Sequence, residues 1–255
     1  MPVAIPKIVR TLSLFADLNE REKDNLLRQG KIRHCPKDQH LFVYGDEVTY
    51  FYIIGEGTVQ LFRETPDGHE MTSDVLIAGD TIGETEILNS QSTHQFNAMA
   101  VEDSIVMEFP IVWLKESAKS HSEFALNLLA ALSSRIHIAT IEAEHKSTMS
   151  AAQQVACFLE RLCILRDYDP HGFVFPYSKT LIASRLGMEL ETLSRALAKI
   201  REHGISVIDT RVSFDDVEKM ENYVCGDCSI SDNCKEHEAL KALLHEKKSN
   251  QATCV

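Results

Sequence analysis

Hydrophobic and polar positions change texture three times along the chain. Residues 13 to 30, "SLFADLNEREKDNLLRQG", set Leu14, Phe15 and Leu18, then Leu26 and Leu27, among charges, which predicts helix over part of the stretch. From 32 to 110 the apolar runs are short and punctuated by turn residues: "HLFVYGDEV", "YFYIIGEGTVQLFRE", "VLIAGDTIGE", "SIVMEFP". Glycines recur at 45, 55, 57, 68, 79 and 83. Many short strands between regular turns predict an antiparallel sandwich or barrel. After Pro110 the period becomes helical. Ala125, Leu129, Leu132, Ile136, Ala139 and Ala143 follow one another at spacings of 4, 3, 4, 3 and 4, a heptad seam without glycine or proline. The seam suits a dimer-forming coiled coil and equally a helix lying on its own domain.

"STMS" at 147–150 reads as a hinge and cap, followed by a second amphipathic helix, "AAQQVACFLERLCILRD". Cys157 and Cys163 fall on its apolar positions and are expected to be buried and structural. "DYDPHG" is a turn. Residues 177–204, "YSKTLIASRLGMELETLSRALAKIREHG", hold two short helices around Gly187. Ser178 is placed to cap the first, which would bury Leu181, Ile182 and Leu186. The second would bury Leu190, Leu193, Leu197 and Ile200 and end at Gly204. Its other face presents Glu191, Thr192, Ser194, Arg195 and Lys199, and "GISVIDTRVSF" then alternates like a two-stranded wing. Any helical hairpin could carry the turn. The exposed set is what points to DNA, because Arg can read guanine, Glu can accept from cytosine and Ser can serve either. Ser178 and Lys179 at the entry of the first helix join the candidate DNA contacts.

Charge at first opposes that reading. The 255 residues carry 26 Lys and Arg against 38 Asp and Glu, a net charge of -12. Phosphate contacts need cations. Between 177 and 204, however, Lys179, Arg185, Arg195, Lys199 and Arg201 face only Glu189, Glu191 and Glu202, a local surplus of two. The chain is 44% hydrophobic and 25% charged, long enough for two modest domains. No continuous apolar run approaches the roughly 18 residues of a bilayer span. "MPVAIPKIVRTLSLF" lacks the pattern of a signal peptide, so a cytoplasmic protein is expected. No phosphate loop, nucleophile elbow or acid–base constellation supports an enzyme.

Seven cysteines are an odd number, and three of them stand within "CGDCSISDNC", residues 225–234. Cys225, Cys228 and Cys234 have the spacing of ligands, with Cys254 beside the last residue. An iron–sulfur cluster needs several convergent thiolates, and these three could provide them. Candidates for a fourth donor are Cys254, Asp227, Asp232, Glu142 and Glu144. Zinc is the rival, with His237 completing a Cys3His set. A Cys225–Cys228 disulfide switch and a metal-free reduced tail are further alternatives.

Over nearly its whole length the chain resembles the Crp/Fnr family of bacterial transcription regulators. "LFVYGDEV", "FYIIGEGTVQLFRETPDGHE", "IAGDTIGE" and "VMEFP" look like its effector-domain strands, and "LGMELETLSRALAKIREHGI" like its recognition segment. The resemblance implies an α+β protein with an N-terminal antiparallel β-roll at 1–119, a dimerisation helix at 120–147, a winged helix-turn-helix at 148–221 and a cysteine-containing tail at 222–255. It implies a homodimer on double-stranded DNA, with RNA polymerase as partner and no membrane. Through Glu191, Ser194 and Arg195 it implies a palindrome with TTGAT-like half-sites. In the cyclic-AMP branch an arginine and a hydroxyl hold the cyclic phosphate. Here His94 and Gln95 occupy those positions, so cyclic AMP is not expected, and Gly83 and Glu84 are then read as turn residues. The oxygen-sensing branch carries its C-x2-C-x5-C motif near the N-terminus and a further cysteine where this chain has Met107. "CGDCSISDNC" is similar to that motif, at the opposite end. Some Gram-positive members resemble this arrangement, with a carboxylate as fourth ligand. The resemblance therefore implies a [4Fe-4S] cluster on the tail that responds to oxygen, nitric oxide or iron status, with haem in the β-roll as another effector used in the family.

Overall fold

"YFYIIG" breaks strict alternation because its strand is covered on both faces. In the computed structural model this strand is β3 (Tyr50–Glu56). Phe51 and Ile53 turn towards helices, whereas Tyr52 and Ile54 turn towards a second sheet. The structure describes residues 4–88, 93–165, 169–174, 178–209, 211–228, 230, 234, 238–240 and 242. They divide into two units, Met1–Ala139 and Thr140–Val255.

The first unit opens with α1 (Ala4–Thr11) and α2 (Glu20–Gln29). Asn19 and Glu22 form a reciprocal capping box at the start of α2, at 3.0 and 2.8 Å. Strands β1 (Lys31–Cys35), β2 (His40–Phe42), β3, β4 (Thr58–Glu64), β5 (Glu70–Ile77) and β6 (Thr81–Ile82) follow. A short α3 (Glu84–Leu88), then β7 (Asn97–Ala100) and β8 (Ser104–Pro110), complete the roll. Two antiparallel sheets result, in the orders β1-β8-β3-β6 and β2-β7-β4-β5. One core lies between them, built from Phe42, Tyr52, Ile54, Val59, Ala98 and Val106 among others. A second core joins the outer face of the first sheet to α1, α2, α4 (Ile111–Ser120) and the start of α5 (Ser122–Thr148). Phe51, Phe109, Leu114 and Leu128 are fully buried there, each contributing about 1.5–3 kcal/mol of burial free energy.

Helix α5 begins in the first unit and ends in the second. Over its most apolar 18 residues its mean hydropathy is 1.4, so by length and composition it could also cross a bilayer. The sequence contains no unbroken apolar run of that length because Ser133, Ser134 and Arg135 interrupt it.

In the second unit α6 (Ala151–Leu165) packs against α8 (Leu190–Ile200), which follows α7 (Lys179–Leu186). Ser178 caps α7 by accepting from the Leu181 N–H at 3.2 Å, and Gly187 ends it at φ 66°. A β-branched or bulky residue would be strained there. The buried side of α8 is Leu193, Ala196, Leu197 and Ile200. Leu190, expected inside, is 46% exposed, because as the first residue of the helix it precedes that stripe. The wing has three strands rather than two, in the order β10-β11-β9: β9 (Phe173–Val174), β10 (Ile205–Ile208) and β11 (Arg211–Phe214). The two residues of β9 are too few to leave a sequence period. Helix α9 (Val217–Val224), capped by Asp216, then packs back on α6. A β-carbon on Gly204 would lie 2.2 Å from the Asp216 carbonyl oxygen, so only glycine lets the wing close against the start of α9.

Candidate nucleic-acid interface and cysteine site

The capped turn between α7 and α8 sets one polar face of α8 into solvent. Glu191, Ser194, Arg195 and Lys199 are exposed and Thr192 is half-buried. Arg195 stands 3.6 Å from Glu191, one turn earlier, with both side chains more than two-thirds exposed. The pair aligns the guanidinium along the helix and adds little stability. The Ser194 hydroxyl donates to the Leu190 carbonyl at 2.9 Å. Ser178 and Lys179 are exposed at the entry of α7. The expected contact residues are therefore exposed, apart from the half-buried Thr192. Arg185 does not join them: its guanidinium donates to both carboxylate oxygens of Glu142 at 2.9 and 3.0 Å and is only 15% exposed. Arg161 approaches the same carboxylate at 3.8 Å. The cation that sequence counting assigned to the interface instead ties α7 to the last turns of α5.

Lys199 has a second neighbour. Its ammonium lies 5.7 Å from the centre of the Tyr223 ring, and the His203 ring stacks on that ring at 3.5 Å. Tyr223 belongs to α9, whose last turn runs directly into Cys225. The Cys225 N–H donates to the Glu221 carbonyl, and the Cys228 N–H to the Cys225 carbonyl at 3.1 Å. The first half of "CGDCSISDNC" is thus the closing turn of a helix packed on the helix-turn-helix. On the far side of the motif the Glu238 N–H donates to the Cys234 carbonyl at 3.1 Å, and Leu240 is fully buried.

Cys225, Cys228 and Cys234 are half-buried and carry no disulfide. The Cys228 sulfur lies 3.4 Å from Nε2 of His145 on α5, and the Cys157 sulfur lies 3.8 Å from Nδ1 of the same ring. His145 is 7% exposed and its burial holds the imidazole below its usual pKa. Burial likewise pushes up the Cys228 thiol, with Cys225, Glu144 and Glu160 adding to the rise and a hydrogen bond from the Ile230 backbone opposing it. Cys157 is pushed up furthest, again by burial first, and both Cys228 and Cys234 are close enough to contribute. Cys157 and Cys163 are buried as expected, but Cys157 also backs the tail site, which its position on an apolar helix face did not reveal. Thiols and imidazoles are soft donors of the kind that bind iron or zinc, and loading them would release protons. Among the described residues no three His, Cys, Asp or Glu side chains close on a single point. Cys254, Asp232 and His237 lie outside the described residues, as does the side chain of Asp227. Of the carboxylate candidates, Glu142 is engaged by the two arginines.

The expected coil seam faces outward among the described residues. Leu129 and Ile136 are 54% and 68% exposed, Ala139 and Ala143 are exposed, and Ala125 and Leu132 are half-buried. Helix α5 packs inside its units through Phe124, Leu128, Ile141 and His145 instead.

In the β-roll, the two residues expected at the cyclic-phosphate positions are His94 and Gln95. The His94 ring lies flat on Phe42, with centroids 3.5 Å apart, and is 2% exposed. Burial holds it below its usual pKa, against the pull of Glu86 and Asp46. Arg63 donates to the Gln95 carbonyl and sits over Phe96. Glu84 is not a plain turn residue. It opens α3, is buried, accepts from the Thr81 hydroxyl and pairs with Arg135 of α5 at 3.1 Å. The local reading missed this because its partner is 51 residues away.

Residues 32–120 match the family described as Cyclic nucleotide-binding domain, and residues 153–223 the family described as Crp-like helix-turn-helix domain. The Fumarate and nitrate reduction regulatory protein of Yersinia pestis is 29% identical over 194 residues, 74% of this chain and 76% of that one. A solved structure from Ruegeria pomeroyi, named for cyclic nucleotide binding, is 30% identical, covering 88% of this chain and 98% of its own with a TM-score of 0.62. FixK2 from Bradyrhizobium japonicum, at 22% identity and a TM-score of 0.67, shares the fold over 76% of this chain and 96% of its own.

Proposed function

The chain belongs to the Crp/Fnr family of DNA-binding transcription regulators, and on that premise we propose that it is a homodimer whose operator affinity is set by an iron–sulfur cluster on Cys225, Cys228 and Cys234. The observation that carries this reading is the placement of the tail. The motif begins at the end of α9, whose Tyr223 touches Lys199 and His203 at the recognition helix, and its Cys228 touches His145 at the end of α5. A metal group held there acts on the DNA-reading helix and on the dimer helix together. Thiolate ligation and exposure of the cluster govern its lability, so oxygen, nitric oxide or iron status is the signal.

On DNA, two α8 helices one helical turn apart read a palindrome. Arg195, Glu191 and Ser194 address bases of a TTGAT-like half-site, and Ser178, Thr192, Lys179 and Lys199 orient the helix on the phosphates. The outward apolar seam of α5, around Leu129 and Ile136, is the dimer contact. RNA polymerase is the further partner, and the protein works in the cytoplasm. Cyclic AMP has no role, since a neutral, stacked His94 cannot replace a phosphate-binding arginine.

A second reading rests on one distance. Two donors on a single tetrahedral zinc, at about 2.3 Å for sulfur and 2.0–2.1 Å for nitrogen, stand about 3.6 Å apart, close to the Cys228–His145 separation of 3.4 Å. Zinc would make the tail a structural clip and move the effector site to the β-roll. The test of regulator function is fluorescence anisotropy with a TTGAT palindrome and a scrambled duplex. Preference for the palindrome, at a stoichiometry of two chains per duplex, is expected. Equal binding of both duplexes would overturn the assignment of α8 as a base reader.

A further inference from the structure

We propose that a cavity on the helical side of the β-roll binds a small single-ring phenol, recognised by the Glu22 carboxylate. The site stands apart from the tail cysteines and does not rest on the cluster reading. Phe15, Leu18, Trp113, Leu114 and Phe124 wall a cavity of about 150 Å3. Phe15, Leu114 and Phe124 belong to the core outside the first sheet, whereas Phe42, on which His94 stacks, belongs to the core between the sheets. The cavity is therefore distinct from the cyclic-phosphate positions. An apolar cavity of roughly this volume holds benzene. Phe15 and Phe124 lie nearly parallel, with centroids 5.8 Å apart, and Trp113 adds a third aromatic wall. Such walls favour an aromatic guest through stacked and edge-to-face contacts.

The polar groups of the lining decide the rest of the ligand. Glu22, Ser117 and His121 complete the wall beside the aromatic rings. One Glu22 oxygen, Oε2, accepts the Asn19 N–H at 2.8 Å and so fixes the carboxylate in the capping box of α2. The other, Oε1, faces Nε2 of His121 at 3.5 Å, beyond the range of a good hydrogen bond. A carboxylate oxygen held in this way has capacity for a further donor. A phenol hydroxyl supplies one, and bonds to a charged acceptor are the stronger kind. A ring bearing a carboxylate would instead meet like charge. The walls come from separate pieces of chain: Phe15 lies between α1 and α2, Glu22 on α2, Trp113, Leu114 and Ser117 on α4, and Phe124 on α5. Asn127, one turn beyond Phe124, donates to Asp17 at 3.0 Å. A guest among these groups joins the first turns of α5 to α2 and α4, just ahead of Leu129, where the apolar seam faces outward. The ligand is thus an effector that stiffens the start of the seam helix.

Trp113 is the chain's single tryptophan, so its emission reports occupancy of the cavity directly. The test titrates the full-length protein with phenol, benzene and benzoate, following Trp113 emission under excitation that phenol does not absorb, with isothermal calorimetry for stoichiometry. The expected result is saturable binding of one phenol per chain, about tenfold tighter than benzene, with no binding of benzoate. Glu22→Gln keeps the capping box, so it should weaken phenol by about fivefold and leave benzene unchanged. Ser117→Leu fills the cavity and should abolish binding of both. Hydrogen–deuterium exchange across residues 113–128 should slow with phenol in the unsubstituted protein and not in Ser117→Leu. If thermal unfolding shows that Ser117→Leu has lost its fold, Leu18→Phe fills the cavity from the opposite wall in its place. Absence of saturable phenol binding would overturn the proposal. Benzoate binding as tightly as phenol, or phenol affinity unchanged in Glu22→Gln, would overturn recognition by the carboxylate. Phenol binding that survives the filled cavity, or that leaves exchange at 113–128 unaltered, would overturn the cavity as the site.

Discussion

Replacing Arg135 with Gln should detach the middle of α5 from the β-roll. In the structure its guanidinium donates to Glu84 Oε1 at 3.1 Å and to the Thr81 carbonyl at 2.8 Å. The two partners differ in exposure, with Glu84 at 4% and Arg135 at 43%. At 3.1 Å a unit pair is worth about 5 kcal/mol at an effective dielectric constant of about 20, and about 1.3 kcal/mol in bulk water. The half-wet arginine places the pair towards the lower figure. The lost hydrogen bond to Thr81 adds roughly 1 kcal/mol. Arg135→Gln should therefore cost about 2 kcal/mol, lowering the midpoint of thermal unfolding by about 5 °C. The cost falls mainly on a buried carboxylate left without its cation, so Arg135→Gln combined with Glu84→Gln should recover more than half of it. Differential scanning calorimetry on the two single variants and the double variant measures this directly. Additive costs, or a single-variant cost below about 0.5 kcal/mol, would refute the claim that the pair secures the helix.

Three further outcomes follow from the same structure. Arg195→Ala should lose about 1–3 kcal/mol of operator affinity at a single base-pair position, measured against a panel of half-site variants; uniform weakening across the panel would make Arg195 a phosphate contact only. Ile136→Glu places a carboxylate on an outward apolar position that is 68% exposed, and sedimentation velocity should then find monomers; an unchanged dimer would remove the seam from the interface. His94, whose burial lowers its pKa, binds its proton less readily when folded than when unfolded, so its contribution to stability is complete above about pH 6.5 and is lost as pH falls through the folded pKa. Urea unfolding between pH 7 and 5 should therefore show a slope, up to about 1.4 kcal/mol per pH unit, that His94→Phe reduces; an unchanged slope would exclude His94 as its source.

Local pattern made the helix-turn-helix legible. Ser178, Gly187 and the 3–4 spacing of Leu193, Leu197 and Ile200 are signals carried by neighbouring residues. The β-roll was readable for the same reason, through its glycine-punctuated runs. What escaped were elements too short for a period, such as β9, and contacts between distant residues. Cys228 meets His145 across 83 positions and Arg135 meets Glu84 across 51, and neither pairing leaves a trace in composition or spacing. Arg185 entered the local charge surplus because a count of charges cannot distinguish a cation that faces solvent from one already held by Glu142. The tail was legible as a cysteine spacing but not as a place. That Cys225 closes α9, and that Tyr223 just before it stacks on His203, emerges only from packing.

The most direct measurement is anaerobic purification followed by iron, sulfide and zinc assays on one sample, with palindrome affinity measured on that sample before and after exposure to air. A brown protein with absorbance at roughly 400 nm and matched iron and sulfide is expected. Bleaching in air should then change operator affinity by at least about tenfold, or about 1.4 kcal/mol. A colourless protein with one zinc per chain, and the same affinity before and after air, would contradict the cluster reading.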